Sequence, residues 1–201
     1  MDIKTVVVGD LQVNCYIISN GNDAVVIDPG DEYEKIKNAL GGKTVKAVLL
    51  THGHFDHTGA VNELKNDGAK VYISAIEEYM LSDGYCCLAQ PFGFPFKPVK
   101  ADVTFNDGDV LDLCGMQLKV ILTPGHTTGS ACFYCENVLF SGDTLFLQSI
   151  GRTDFPGGDF QVISNSIKEK IYTLPENTLV YSGHGGVTTV KDEKLFNPFV
   201  S

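Results

Sequence analysis

The five histidines of this 201-residue chain all lie in three short segments. The segments are THGHFDH, which ends at His57, TPGHTTG around His126 and YSGHGG around His184. Imidazole is the commonest metal-binding side chain, and a carboxylate among histidines supplies the negative charge that a second metal needs. Chance placement does not gather every histidine of a chain into such segments. The pattern therefore predicts a metal site.

The spacing within the first segment excludes a helical zinc motif. His52 and His54 are two residues apart, which places them on one side of an extended or turning segment and far apart around a helix. Asp56 and His57 follow at the predicted start of a helix and can serve a neighbouring position. The predicted ligands form a tri-imidazole site, a second site and a bridging carboxylate: His52, His54 and His126; Asp56, His57 and His184; and Asp143. Two metals held in this way would leave room for one shared water, as in a two-metal hydrolytic site.

Short runs rich in Val, Ile and Leu recur along the chain and predict β-strands. Five of these runs end at or next to a candidate residue: Asp28, His52, His126, Asp143 and His184. In layered α/β folds, functional groups gather on the loops at one edge of the sheet. We therefore expect a single rim of the molecule to carry the chemistry.

Helical signals occupy some of the intervening segments. Asp31 and Glu34 predict a capping box before a helix that Gly41 ends, and residues 58–67 and 160–171 have apolar side chains at helical spacing. Residues 82–100, which include PFGFPFKP, break the pattern and predict a long irregular loop. Two interpretations of that loop remain open, an ordinary surface excursion and an apolar wall over a site.

Composition limits the classes of function. The chain is 43% hydrophobic and 20% charged, which is typical of a globular protein, and its length suits one domain over residues 1–201. It has no apolar run of membrane-spanning length and no signal-peptide pattern, so we expect a cytoplasmic protein without a membrane partner. The net charge of −10 and the single arginine, Arg152, argue against nucleic-acid binding. Two divalent cations would offset part of that charge and would still allow a small anionic substrate.

The six cysteines of an intracellular chain are expected to be reduced thiols. Cys132 and Cys135 form a CxxC pattern within SACFYCEN, which predicts a strand. Residues three apart on a strand point to opposite faces, so we interpret both as packing residues.

The segments THGHFDH, PGHTTGS, SGDTLF and YSGHGG resemble the metallo-β-lactamase superfamily over nearly the whole chain. SGDTLFLQSIGRTDFPGGD and SGHGGVTTVKDEKLFNPF are similar to the short bacterial glyoxalase II-like hydrolases. The resemblance implies an α/β fold of the four-layer αβ/βα sandwich type, in which two β-sheets flanked by helices pack face to face, with the metals at one edge. It also implies that Asp28 supports a ligand histidine. The expected cofactors are two divalent metal ions, zinc first, with iron or manganese as alternatives.

The function that this resemblance implies is hydrolysis of small acyl thioesters, as in hydroxyacylglutathione hydrolases, by a metal-bridging hydroxide. Asp56 would orient the water and Asp143 would bridge the metals, which makes these two the expected catalytic residues. Arg152 falls where glyoxalase II places a basic substrate-binding residue, although a solvated or structural arginine is the alternative. Full-length glyoxalase II has a C-terminal helical domain that helps bind glutathione, whereas this chain stops at Ser201. We therefore expect no separate substrate domain and a small-molecule thioester partner that need not contain glutathione.

Related families differ at particular positions. True metallo-β-lactamases lack the bridging aspartate present here as Asp143, and flavo-diiron proteins have glutamate where this chain has His54. Persulfide dioxygenases share GRTDF, residues 151–155, and use a single iron held by the equivalents of His52, His126 and Asp143. A mononuclear iron enzyme of that kind is the alternative function. The sequence predicts no oligomeric state.

Overall fold

Residues 1–200, which the computed structural model describes, contain two six-stranded sheets. The first sheet has its strands in chain order: β1 (Asp2–Val8), β2 (Val13–Asn20), β3 (Asp23–Ile27), β4 (Thr44–Leu49), β5 (Lys70–Ser74) and β6 (Val103–Phe105). The pairs β1–β2 and β2–β3 are antiparallel, and the pairs from β3 to β6 are parallel. In the parallel part, the loops that follow β3 and β4 emerge at the same edge.

The strands of the second half of the chain are β7 (Val110–Leu113), β8 (Met116–Leu122), β9 (Ala131–Cys135), β10 (Val138–Gly142), β11 (Leu145–Phe146), β12 (Ser149–Ile150), β13 (Leu179–Ser182) and β14 (Thr188–Thr189). The second sheet has the order β14-β13-β10-β9-β8-β7, and β11 pairs with β12 in a small hairpin. Within this sheet β10 and β13 are parallel, so the loops after them also emerge together.

The helices are α1 (Tyr33–Leu40), α2 (Phe55–Thr58), α3 (Val61–Asn66), α4 (Phe160–Ser166) and α5 (Val190–Phe196), with a 3-10 helix at Glu78–Ser82 and a π-helical turn at Ile167–Ile171. The predicted helices before Gly41 and at residues 160–171 are therefore helical, and Gly41 ends α1 in a left-handed conformation. The helix predicted over residues 58–67 is shorter, because α2 ends at Thr58 and α3 begins only at Val61. The predicted capping box is wrong. The Asp31 carboxylate accepts from the Glu32 amide at 2.6 Å, and Glu32 precedes the helix without a side-chain cap.

The core residues of β2 show how the layers stack. Cys15 and Ile17 pack in the cluster that contains Ile36 of α1 and Leu64 of α3. Tyr16 and Ile18 point the other way, into a cluster filled from the opposite side by the second sheet, including Phe133 and Phe140. This alternation is the strand period of two, and it places one face of the sheet against helices and the other against a sheet.

A third cluster lies on the outer face of the second sheet, where Ile163, Ile167 and Val190 cover Cys132 and Leu139. The order is thus helices, sheet, sheet, helices, which confirms the predicted four-layer αβ/βα sandwich. Cys132 packs in this outer cluster, whereas Cys135 packs between the sheets.

Within residues 1–200, every helix is too short or too polar to cross a membrane.

Candidate metal centre

The predicted ligands meet at one edge of the sandwich. They lie in the loops after β4, β8, β10 and β13 and on the short helix α2: His52 and His54; His126; Asp143; His184; and Asp56 and His57. The structure brings all seven together in three overlapping groups, within each of which the possible ligand atoms lie no more than 4.8 Å apart. The side chains come from both sheets, so only the packed sandwich creates the centre.

The tri-imidazole cluster consists of His52, His54 and His126. All three are buried, with 1%, 4% and 2% of their surface exposed. The Nδ1 atom of His54 lies 3.0 Å from the Nε2 atom of His126. The Nε2 atom of His52 is buried without a hydrogen-bond partner in the described part of the chain. Three imidazole nitrogens thus surround one point, which is the donor set of a zinc-like metal.

The mixed cluster consists of Asp56, His57 and His184. The Oδ2 atom of Asp56 lies 3.6 Å from the Nε2 atom of His57 and 3.5 Å from the Nε2 atom of His184. Carboxylate and imidazole donors of this kind suit zinc, iron and manganese.

Asp143 lies between the two clusters. Its Oδ1 atom is 3.4 Å from the Nε2 atom of His57, and its Oδ2 atom is 3.6 Å from the Nε2 atoms of both His126 and His184. One carboxylate therefore contacts ligands of both clusters, in the place that the sequence predicted for a bridge.

The residues present fit a pair of metal ions. Among residues 1–200, the buried side-chain atoms that lack a hydrogen-bond partner include the Nε2 atoms of His52 and His57 and the Oδ1 atom of Asp143. Buried polar atoms are nearly always paired, and these three face one another across the centre. Atoms that carry lone pairs and converge in this way are satisfied by a cation.

Hydrogen bonds at the outer nitrogens set the orientation of the rings. The Nδ1 atom of His57 donates to the Oδ2 atom of Asp28 at 3.0 Å. The hydroxyl of Thr51 also donates to that oxygen, at 2.7 Å, so it must accept from the Nδ1 atom of His52 at 3.1 Å. Asp28 thereby supports one histidine of each cluster and leaves both Nε2 atoms free to bind metal.

Two main-chain carbonyls orient the histidines that follow strands of the second sheet, His126 and His184. The Nδ1 atom of His126 donates to the Arg152 carbonyl at 2.8 Å, and that of His184 donates to the Leu11 carbonyl at 3.0 Å. Such contacts fix the tautomer in which Nε2 is the metal-binding atom.

The electrostatic environment differs between the clusters. Burial and the neighbouring imidazoles lower the pKa of His52, and the same causes lower the pKa of His54 to about 3. Burial also lowers the pKa of His57, but the carboxylates of Asp143, Asp56 and Asp28 outweigh it and raise that pKa above its usual range. His52 and His54 are therefore neutral donors, whereas His57 lies among carboxylates that favour its protonated form.

The loop after β13 has no room for a side chain at Gly183. A Cβ atom there would lie 2.2 Å from the Oδ1 atom of Asp143 and 2.8 Å from the Cε1 atom of His57. Both distances are far below van der Waals contact. The glycine before His184 therefore lets the main chain pass against the bridging carboxylate.

The guanidinium of Arg152 does not point freely towards a substrate. Its Nε and Nη2 atoms each donate to Asp154 at 2.7 Å, and its Cζ atom lies 3.8 Å from the centre of the Phe155 ring. This bond to Arg152 lowers the pKa of Asp154 to about 2. The residue contributes to the centre through its carbonyl, which holds His126. A substrate role for the side chain stays a prediction.

The irregular loop at residues 82–100 supplies part of an aromatic wall, which we define as Phe55, Phe92, Phe94 and Phe155. The ring of Phe55 stacks on Phe94 at 4.6 Å and on Phe92 at 6.1 Å, and Phe92 contacts Phe155 at 5.7 Å. Phe155 in turn lies edge-on to His54 at 6.1 Å. The wall thus runs from the loop to a ligand of the tri-imidazole cluster, which favours the apolar-wall interpretation over an ordinary surface excursion.

Several residues that support the centre were not predicted from the sequence. Thr51 precedes His52 directly, and its position next to a ligand was the available signal. The Leu11 carbonyl comes from the β1–β2 turn, which has no recognisable motif. Glu77 is fully buried and hydrogen-bonds the two loops of the tri-imidazole cluster. A glutamate after a strand gives no sign of such a role.

The chain is similar over nearly its whole length to one named bacterial protein and to two solved structures. Hydroxyacylglutathione hydrolase GloC of Haemophilus influenzae is 37% identical over 212 residues, which cover 100% of this chain and 99% of that protein. The crystal structure of BLEG-1 B3 metallo-beta-lactamase superposes with a TM-score of 0.95 at 39% identity and covers 100% of both chains. The structure of TTHA1623 in a di-iron-bound form has a TM-score of 0.87 at 37% identity, covering 98% of this chain and 99% of that one.

The sequence model of the metallo-beta-lactamase superfamily matches residues 8–184, which include all seven predicted ligands. Together with the four-layer sandwich and the centre at its edge, this match decides the family. The chain belongs to the metallo-beta-lactamase superfamily.

Proposed function

We propose that this protein hydrolyses small acyl thioesters with two divalent metal ions. The observation that carries the proposal is the position of Asp143, whose two oxygens face ligands of both clusters. A carboxylate shared in this way is typical of two-metal hydrolytic sites. The similarity to hydroxyacylglutathione hydrolase GloC supports a thioester as the substrate.

The proposed ligand sets are His52, His54 and His126 for one metal, Asp56, His57 and His184 for the other, and Asp143 for both. Zinc is the proposed ion, and iron or manganese would be held by the same donors. When bound, the metals would lower the pKa of a coordinated water from about 16 to roughly 7 and would neutralise negative charge that develops on the substrate carbonyl.

The side chains of this chain then have separate tasks. Asp56 presents a carboxylate oxygen between His57 and His184, where it can accept a proton of the attacking water and orient it. Asp28 holds the Nδ1 atom of His57 directly and that of His52 through Thr51, so that the Nε2 atoms of both rings face the metal site. No serine or cysteine is assigned as a nucleophile, because water takes that part.

The aromatic wall supports an apolar acyl group as the part of the substrate next to the tri-imidazole cluster. Phe92 is 52% exposed and Phe94 is 37% exposed, so a ligand can cover them. Arg152, the one arginine of the chain, is paired with Asp154 and would have to leave that partner to bind a substrate carboxylate. We therefore propose a small-molecule substrate in which apolar contacts dominate, and neither a nucleic-acid nor a membrane partner. The cytoplasm is the proposed location.

A panel of four thioesters tests the proposal. Lactoyl and phenylacetyl groups are each joined to glutathione and to N-acetylcysteamine, and thiol release is followed in the presence of added zinc. We expect release from all four and a higher kcat/KM for the phenylacetyl esters. No release from any member would reject the thioesterase.

Two further assays cover the rival functions. Because a similar solved structure is named a B3 metallo-beta-lactamase, the same preparation is tested on a chromogenic cephalosporin. We expect little turnover, and cleavage faster than that of every thioester would assign a β-lactamase instead. Oxygen uptake with glutathione persulfide, together with one iron per chain, would assign the dioxygenase that the GRTDF segment at residues 151–155 resembles.

A further inference from the structure

We infer that Glu77 is a positioning residue that sets the geometry of the tri-imidazole cluster. The inference deepens the proposed function, because it concerns the metal centre on which that function rests. The hydrogen bonds of the Glu77 carboxylate go to main-chain amides of two loops, so it acts through those loops.

The carboxylate of Glu77 joins the two loops directly. Its Oε2 atom accepts from the Gly53 amide at 3.1 Å, and its Oε1 atom accepts from the Gly129 amide at 2.8 Å. Gly53 lies between the ligands His52 and His54, and Gly129 lies three residues after the ligand His126. One side chain therefore holds both segments that supply the cluster.

The burial of Glu77 is complete, with 0% of its surface exposed. A buried carboxylate is costly unless hydrogen bonds compensate for the lost hydration, and two main-chain amides do so here. A Cβ atom on Gly129 would lie 2.7 Å from the Cγ atom of Glu77, so the loop can approach the carboxylate only as glycine. This close packing leaves the carboxylate little freedom to move.

The hydrogen bonds of Glu77 lie where the relative position of His54 and His126 is set. His54 and His126 come from loops of different sheets, and their facing nitrogens lie 3.0 Å apart. A main-chain bond from Ala131 to Thr51 at 2.8 Å also connects the loops, but it lies before His52 and after Gly129 in the chain. Glu77 is bound within the ligand segment itself, where a small shift would move His54 relative to His126.

A second buried glutamate offers a matched control. Glu193 is also 0% exposed, and its carboxylate accepts from the Gln148 amide, the Thr188 hydroxyl and the Asn197 amide group. These partners lie in β14, directly after α5 and in the turn of the β11–β12 hairpin, and none lies in a loop of the tri-imidazole cluster. Replacing Glu193 disturbs a buried hydrogen-bond network of similar size at another place in the fold.

The experiment compares Glu77→Gln with Glu193→Gln in the full chain. In Glu77→Gln, one oxygen becomes an NH₂ group that cannot accept, so one loop amide loses its partner. Zinc binding to each metal-free protein is titrated against a chromophoric chelator, and the visible spectrum of the cobalt form is recorded. Thermal unfolding of the metal-free proteins measures the structural cost of each change.

We expect Glu77→Gln to weaken one of the two metal-binding steps about 10- to 100-fold and to alter the cobalt spectrum, as loss of a supporting contact does at other metal sites. Glu193→Gln should lower the unfolding temperature and leave both affinities and the spectrum unchanged. His54→Ala, which removes a ligand of the tri-imidazole cluster, identifies the step that belongs to it.

Affinities in Glu77→Gln equal to those of the wild type, or reduced no more than in Glu193→Gln, would overturn the inference. If Glu77→Gln does not fold, Glu77→Asp decides, because it keeps the charge but is too short to reach both amides; wild-type affinity in Glu77→Asp would equally overturn it. The titration needs no turnover, so absent thioester hydrolysis with a weakened step would reject the proposed substrate and leave the role of Glu77 standing.

Discussion

The two halves of the metal centre use histidine in opposite environments. His52, His54 and His126 are almost fully buried among other imidazoles, whereas the side chain of His184 is 29% exposed and that of Asp56 is 15% exposed. The first half is therefore enclosed by protein, and the second half reaches the solvent at His184 and Asp56, although His57 is fully buried. We therefore expect the tri-imidazole cluster to hold a metal more firmly than the mixed cluster, which water can reach more easily.

The same difference appears in the electrostatics. Imidazoles that face one another lower the pKa of His54 to about 3 after burial has already lowered it. At His184, burial acts in the same direction, but the Asp56 hydrogen bond and the Asp143 carboxylate raise the pKa above its usual value. One residue type thus becomes a neutral donor in one half and a partner of carboxylates in the other, because of what surrounds it.

Removal of Asp143 should weaken metal binding in both halves, because its carboxylate contacts residues of both clusters. We expect Asp143→Ala to lower kcat/KM about a thousandfold or more, since two-metal stabilisation is worth several kcal/mol. Elemental analysis should show fewer than two metals per chain. Asp143→Asn, which keeps the shape and removes the charge, is the matched variant, and two tightly bound metals in either protein would show that the carboxylate is not the bridge.

Single ligand replacements should separate the two halves. We expect His54→Ala to lose the metal of the tri-imidazole cluster and His184→Ala to lose the metal of the mixed cluster. Each variant should keep the other metal, and kcat/KM should fall about 100-fold in both. The larger loss of zinc affinity should occur in His54→Ala, because its cluster is the more enclosed. Chelator titration measures the two steps, and identical profiles for both variants would contradict a division into two sites.

Replacement of Asp28 should affect both halves moderately. Asp28→Asn puts an NH₂ group near donors from Thr51 and His57, so the outer contacts of His52 and His57 both weaken. We expect zinc affinity to fall about 10- to 100-fold at each step. Thr51→Val, which breaks only the link to His52, should weaken one step alone. An equal effect of Thr51→Val on both steps would disprove the separate supports.

The smallest effect is expected at Arg152, which belongs to neither half as a ligand. Arg152→Ala should raise KM for a glutathione thioester only a few-fold and leave the metal content intact, because exposed ion pairs contribute about 1 kcal/mol or less. Asp154→Asn, which weakens the bond holding the guanidinium, should lower the same KM. Steady-state kinetics on glutathione and N-acetylcysteamine esters measure both, and equal KM values in all three proteins would leave Arg152 a structural residue.

The fold and the ligand cluster could be predicted because local signals agree with the global arrangement. Apolar strands that end at His52, His126, Asp143 and His184 leave only one way to bring those side chains together, at a common sheet edge. The apolar spacing also located helices near residues 33–40 and 160–171, whereas the segment 58–67 contains a break between α2 and α3. The failed capping box shows the limit, because the Asp31 carboxylate is used by the next amide instead of by the helix end.

The sequence by itself determined which residues are candidate metal ligands, since imidazole and carboxylate groups can donate lone pairs wherever the chain places them. Only the tertiary structure decided which nitrogen faces the centre, that Asp28 serves both halves, that Arg152 is paired with Asp154 and that Glu77 joins the two loops. The contacts of Glu77 join its side chain to main-chain amides that are distant in the sequence. A main-chain amide or carbonyl has the same chemistry at every position, so its partner is fixed only when the two sheets pack.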